Sequence, residues 1–354
     1  MVFQNLYING MSAISIQETL MRKPLEEAIA YQMPYVRCID PVFKEYFDPI
    51  AARRMSKIIK RAIITAKKAI EESGIEQPDA IITGTGLGCI EDTEKFLDSM
   101  IRNEEKFLQP TNFIQSTHNT ISSQIAIYQH CNGYNNTYIH RGVSFENALM
   151  DAVLLFSKNL IKTALVTGND EMTPAYSVLL GRIGYWKKEV ENSLEIIEKQ
   201  SGSGSFAGEG SISLMLSKEK SQSTYSAIKA MDLFYKPVSI NEKFQQFLSE
   251  NNMEIKDIDV IMCGMNGDVE NDKIYKQFVE NLSIKPKVAV YKHICGEFYT
   301  SNAFGLYAAA ECIKKQEIPS LLMTDNSAFI RPKNILLYNH FQNKDHSFIL
   351  VSNV

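Results

Sequence analysis

Residues 115–171 read QSTHNTISSQIAIYQHCNGYNNTYIHRGVSFENALMDAVLLFSKNLIKTALVTGNDE, and the order of patterns in this stretch decides the fold. It predicts a buried strand, a sharp turn at Arg141–Gly142, a long apolar helix with Ser144 or Glu146 in its first turn, and a second buried strand in ALVTG. Such an elbow aims one side chain and several free backbone N–H groups into a cavity, where a nucleophile gains from the positive end of the helix dipole. Here the elbow holds Arg141, Gly142 and Val143. The architecture expects a nucleophile, and these residues do not supply one.

Working outward, a chain of 354 residues with 45% apolar side chains suits two similar halves around a shared core. A formal net charge of −4 provides no basic face for general nucleic-acid binding. MVFQNLYING has no basic n-region, and no run of about 18 apolar residues occurs, so a cytoplasmic protein without membrane insertion is expected. Cys38, Cys89, Cys131, Cys263, Cys295 and Cys312 lack C-x-x-C spacing. They read as reduced core residues, with no metal site and no disulfide framework. Asn135-Asn136-Thr137 fits a glycosylation sequon and is read as chance.

In chain order, Tyr7 to Ile14 predicts a first strand, and Ala51 to Ser73 a helix closed by Gly74. Arg53, Lys57, Lys60 and Arg61 recur on one face of that helix, either as a solvated surface or as a dock for an acidic partner. DAIITGTGLG is a buried strand running into Gly84, Gly86 and Gly88. Its GxGxG spacing departs from the dinucleotide-binding GxGxxG and predicts a tight strand-to-helix turn. SGSGSFAGEG has no GK[ST] ending and is no phosphate loop. A strand from Ile212 to Leu216 follows it, and ILLYNHF and HSFILVSNV predict the last two strands.

Distant segments repeat. AIEESGIEQPDAIITGTG and FLSENNMEIKDIDVIMCGMNG share one plan, with Asp79 matching Asp259 and Gly84 matching Gly264. Ser144 stands as far before ALVTG as Ser301 before LLMTD. Two matches in one order predict a duplicated α/β unit with halves 1–217 and 218–354.

At these residues the chain resembles the β-ketoacyl-acyl-carrier-protein synthases, condensing enzymes of thiolase fold. ARRMSKIIKRAIITAKKAIEESG is similar to their arginine-methionine helix, GTGLG to their glycine turn, FIQSTHNTISSQIAIYQHCNG to the segment before their active site, and FAGEGSISLML to their GEGA strand. The resemblance covers nearly the whole chain and implies a duplicated α/β/α/β/α layered fold with mixed five-stranded sheets. It also implies an elbow cysteine that carries the acyl chain and two histidines that assist malonyl decarboxylation and stabilise the forming negative charge. Counting forward from QSTHNT puts the cysteine position on Gly142, and counting back from ALVTGNDE puts it on Val143. The first histidine position falls on Gly264 or Asn266. The second falls on Glu297, where a carboxylate opposes a forming anion, while Lys292 matches the family's lysine. NHFQNKDHS replaces the family's glycine-phenylalanine gate. His118, His140, His293, Cys263, Cys295 and Ser144 lie on the relevant segments as substitutes, with packed structural roles as the alternative.

A ketosynthase-like chain without its triad resembles the chain-length-factor subunits of type II polyketide systems. QSTHNT and the YxHRG elbow resemble the partner subunit of aryl polyene and flexirubin-type pigment pathways, although chain-length factors commonly carry glutamine at the elbow. The resemblance implies a non-catalytic, cofactor-free subunit that pairs with a catalytic ketosynthase, or with itself as a homodimer. Acyl carrier protein would dock on Arg53, Arg54, Lys57 and Lys60, and His118, Ser144, Phe145 and His293 would line or plug the tunnel. Two other functions stay open: an active 3-oxoacyl synthase or acyltransferase with an atypical nucleophile, and a homodimeric acyl-binding scaffold. The strand from about Asn136 to His140 is expected to pair with its twin across a two-fold axis.

Overall fold

The computed structural model describes residues 2–21, 25, 27–53, 55–199 and 202–354. Its strands are β1 (Val2–Ile14), β2 (Ala80–Gly84), β3 (Tyr134–Tyr138), β4 (Thr163–Asp170), β5 (Gly210–Ser217), β6 (Ser226–Tyr235), β7 (Val260–Cys263), β8 (Lys287–Val290), β9 (Glu317–Ile318), β10 (Phe329–Ile330), β11 (Asn334–Phe341) and β12 (Asp345–Ser352). The helices are α1 (Pro49–Ala52), α2 (Lys57–Ser73), α3 (Ile90–Arg102), α4 (Pro110–Ser116), α5 (Thr120–Tyr128), α6 (Ser144–Ser157), α7 (Pro174–Arg182), α8 (Ile240–Glu250), α9 (Val269–Glu280), α10 (Lys292–Cys295) and α11 (Ser301–Lys315).

Apart from the short β9–β10 ribbon, the strands form one mixed sheet in the order β3-β2-β4-β5-β1-β6-β12-β11-β7-β8. Counted within each half, both sides read third, second, fourth, fifth, first, with matching parallel and antiparallel pairings. The same α/β unit therefore occurs twice. The expected five-stranded sheets are joined into ten strands because β1 pairs with β5 on one side and with β6 on the other, Tyr7 and Ile8 pairing with both. Its early residues pair with β6, Leu6 opposite Ile228, while Tyr7 to Ile14 pairs with β5.

Side chains alternate along a strand, so each inner strand feeds two cores. On β7, Val260 and Met262 enter the central core, whereas Ile261 and Cys263 enter the outer core of the second half. On β11, Ile335 and Leu337 face the centre and Leu336 and Tyr338 face outward. Helices α6 and α11 fill the central core. The outer faces are covered by α2 and α5 in the first half and by α8 and α9 in the second. This is the α/β/α/β/α layering. Gly84 lets α6 approach β2 closely, since a Cβ there would lie 2.6 Å from the Phe145 backbone.

The matched aspartates do the same work in both halves. Asp79 Oδ2 accepts from the backbone N–H groups of Lys162 and Thr163, at 2.8 and 3.0 Å, and so fixes the start of β4. Asp259 Oδ2 accepts from those of Lys333 and Asn334, at 2.7 and 2.9 Å, and fixes the start of β11. The second sequence match fails. LLMTD is no twin of β4: residues Ser320–Leu322 form a 3-10 turn after Pro319, and Met323 and Thr324 lie along the edge of β8. The twin of β4 is β11, reached only after the β9–β10 ribbon.

Three other expectations change. The helix expected from Ala51 is two helices, because the chain turns at Arg53 and Ser56 takes the extended backbone of a helix N-cap before Lys57. Arg61 leaves the basic face: it is 1% exposed, and its guanidinium is ion-paired with Asp40 and Glu209. Strand β3 is half open rather than buried, because it is an edge strand paired on one side with β2.

Candidate functional site

The elbow forms where β3 ends and α6 begins. Arg141 adopts a positive φ of 47°, residues Arg141–Val143 make one 3-10 turn, and α6 starts at Ser144. The Ser144 hydroxyl accepts from the His140 backbone N–H at 2.7 Å and donates to the Arg141 carbonyl at 2.8 Å. Buried and doubly bonded, it holds the turn together and is no free nucleophile. Gly142 faces the second half of the molecule. A Cβ built on it would lie 2.3 Å from the ring of Phe341, at the end of β11. The direction a nucleophilic side chain would take is already filled.

Around this contact lies a cavity of about 240 Å³, whose wall includes Gly142, Asn266, Lys292, Glu297, Ser301 and Phe341. Four of the positions matched to the family's groups, Gly142, Asn266, Lys292 and Glu297, thus converge, although they come from the elbow, the turn after β7, α10 and the turn after α10, whereas Val143 and Gly264 do not line the cavity. Lys292 Nζ donates to both Glu297 oxygens, at 3.1 and 2.9 Å. Asn266 Nδ2 donates to Glu297 at 2.7 Å and Ser301 Oγ at 3.2 Å. These donors saturate the carboxylate, so it presents an engaged anion to the cavity. Gly264 has no room for a side chain, since a Cβ there would lie 2.3 Å from Asn339 Oδ1.

The sequence did not single out His340. His340 lines the cavity, donating from Nε2 to the Asn271 carbonyl at 3.0 Å and accepting at Nδ1 from the Asn343 N–H at 3.2 Å. Burial pushes its pKa down to about 3, so it is a neutral ring with both nitrogens engaged. Below the cavity floor, Glu146 is fully buried and accepts at Oε1 from Asn302, Asn339 and Ser347, and burial holds its pKa above the usual carboxylate range. A second aromatic closure sits beside Phe341. Tyr299 covers Gly86, where a Cβ would lie 2.2 Å from the ring, and its hydroxyl meets that of Tyr176 at 2.9 Å.

The other candidate residues are dispersed. His118 is exposed beside Gly88, and Phe145 is buried in the central core with its ring 3.3 Å from the Cβ position of Gly168, so neither lines this cavity. His293 faces a different cavity, because its neighbour Lys292 takes the inward direction on α10. Val143 is buried at the elbow. Arg53 is exposed in the turn before α2, Lys57 is ion-paired with Asp40 at 3.3 Å, and Lys60 lies 5.3 Å from the centre of the Phe43 ring. Arg54 lies outside the described residues. All six cysteines are buried and free, and none lines the elbow cavity. Among the described residues no group of three or more His, Cys, Asp or Glu side chains is placed to hold a metal ion, and no helix is long and apolar enough to cross a membrane.

Comparison with known proteins gives one family and one fold. The family model for the N-terminal domain of β-ketoacyl synthases matches residues 32–224. The structure resembles the ishigamide ketosynthase/chain length factor with a TM-score of 0.82 at 15% identity, covering 99% of this chain and 100% of that one. It resembles a β-ketoacyl synthase from Burkholderia phymatum STM815 with a TM-score of 0.79 at 12% identity, again covering 99% and 100%. A type II polyketide synthase acyl-carrier protein in complex with its ketosynthase bound to the hexaketide gives 0.77 at 12% identity, with the same coverage. No curated protein matches the chain in sequence.

Proposed function

We propose, from the premise that the chain belongs to the β-ketoacyl synthase family, that it is a non-catalytic subunit of the chain-length-factor kind, working beside an active ketosynthase in fatty acid or polyketide elongation. The observation that carries this reading is the occupied elbow, where Phe341 fills the side-chain direction of Gly142 above an engaged Lys292–Glu297 pair. Condensation needs a thiolate to hold the acyl chain and donors aimed at the forming negative charge. The elbow offers a glycine, and an anion stands in the place of a donor.

The open edge of β3 supports a paired assembly. Helix α5 beside it exposes Ile127, and α4, packed on α5, and α3, packed on α4, expose Phe113, Ile114 and Ile101. Unpaired backbone next to apolar surface is what a partner subunit covers. The preferred partner in this reading is the ketosynthase, with a homodimer as the fallback, and the pathway it favours is of the aryl polyene or flexirubin type. Acyl carrier protein would meet Arg53, Arg54, Lys57 and Lys60. The halves 1–217 and 218–354 act as one intertwined unit in the cytoplasm.

Co-expression with a ketosynthase encoded next to this chain, followed by light scattering, should give a heterodimer. Mass spectrometry after incubation with acylated carrier protein should find no adduct on Ser144 or any cysteine of this chain. Gly142→Cys should still fail to elongate, because Phe341 crowds the new thiol and Glu297 remains. A stoichiometric acyl adduct, or a homodimer that ignores the ketosynthase, would overturn the reading.

A further inference from the structure

A second cavity, of about 390 Å³, lies behind the wall that carries Asn266 and Lys292. Adjacent residues of that wall face opposite ways: Asn266 and Lys292 line the elbow cavity, whereas Met265 and His293 line the second one. The body of the second cavity is aliphatic, built by Leu194, Ile197, Val279, Val288, Leu321 and Met323. Its lining also holds the exposed Lys276 and Glu280, Thr324, and Glu198, which accepts from Asn326 Nδ2 at 3.1 Å and so ties the 193–198 segment to the turn after Met323.

His293 is the informative member. It is 2% exposed, and its Nε2 lies 2.9 Å from the Leu321 carbonyl oxygen. A carbonyl oxygen can only accept, so Nε2 carries the ring proton and Nδ1 keeps a lone pair. That Nδ1 has no hydrogen-bond partner among the described residues. A buried acceptor left so is costly, and none of the donors on the lining, Lys276, Thr324 and Asn326, bonds to it. Burial pushes the imidazole's pKa down to about 4, so the lone pair persists at neutral pH.

We propose that this cavity is a ligand site for a neutral aliphatic molecule carrying one hydroxyl or amide N–H, whose hydrogen is donated to His293 Nδ1. The walls take the aliphatic body and the imidazole fixes its orientation, the usual division of labour in a small-molecule site. The site stands apart from the subunit role proposed above. The two share only the wall at residues 265–266 and 292–293, and either can fail without the other.

Two probes with one carbon cage test this. 2-Adamantanol can donate a hydrogen bond, and 2-adamantanone can only accept. Calorimetric titration into the full chain should show the alcohol binding at least about tenfold more tightly than the ketone. His293→Leu should abolish that preference while leaving weak binding of both. Val279→Trp, on a half-buried position of α9, should fill the cavity and abolish binding of both without altering His293, so the test holds even if His293→Leu does not fold. Equal affinities for alcohol and ketone, no binding of either, or binding indifferent to Val279→Trp would overturn the proposal.

Discussion

Asp79 and Asp259 sit at the same point of the two halves, and each carboxylate accepts from two successive backbone N–H groups at the start of a neighbouring strand. The elbow region holds its carboxylate differently: Glu297 is bound by the Lys292 ammonium and by two side chains, and it lines a cavity. Groups that bind backbone are fixed by the fold, since the N–H groups they satisfy recur wherever the unit recurs. Groups that face a cavity answer only to one another, so they can change identity as a set when their charges stay matched. This difference explains how a chain can hold a sheet order in duplicate beside a cavity that only one of its halves frames with the Lys292–Glu297 pair.

The largest expected effect breaks the cavity set. Lys292→Met leaves the Glu297 carboxylate without its cation and should lower unfolding free energy by about 3 kcal/mol in urea titration. Lys292→Met with Glu297→Gln should return to within about 1 kcal/mol of the parent. If single and double variants are equally unstable, the pair is not acting as a matched set.

A third carboxyl sharpens the comparison through pH. Glu171, 6% exposed, has its pKa pushed up to about 8 by burial. Between its ordinary range and that value the folded chain holds a proton that the unfolded chain has released. Its contribution to stability is therefore complete at acid pH and is lost as pH rises toward 8 and beyond. Glu171→Gln keeps the oxygen that accepts from the Glu91 N–H and cannot ionise. Relative to the parent it should be near neutral at about pH 5 and more stable by about 2 kcal/mol at about pH 9. A gap that does not widen with pH would show that this carboxyl is ionised in the folded chain.

The smallest effect tests the latches. Asp79→Ala and Asp259→Ala should each cost about 1 kcal/mol by thermal or urea unfolding, and the double variant should equal the sum, because the two sites lie in different halves. Strong non-additivity would mean that the halves do not carry their strand starts independently.

The latches were legible because aspartate, apolar strand and glycine are local in sequence, and a repeat of that plan in order has few explanations. The same logic misread LLMTD, whose apolar residues cover the β8 edge and line the second cavity instead of entering the sheet. Spacing from Ser301 could not reveal the ribbon that delays β11. That the elbow carries a glycine was legible at Gly142, but the ring packed against it was not: Phe341 lies in the other half, and nothing local in NHFQNKDHS marks a ring aimed at residue 142. The paired asparagines of YNNTY did carry a signal for a half-open edge strand.

The ten-stranded sheet ends differently on its two sides. At β8 the Thr324 N–H already donates to the Val288 carbonyl and Met323 bridges Ala289, whereas among the described residues β3 pairs only with β2. A ribbon with both margins open can add copies indefinitely, and one with a single open margin cannot. Joined through β3, two such molecules would consume both of their free margins in one contact. The growth of the array would then terminate at two members, with no filament available to it.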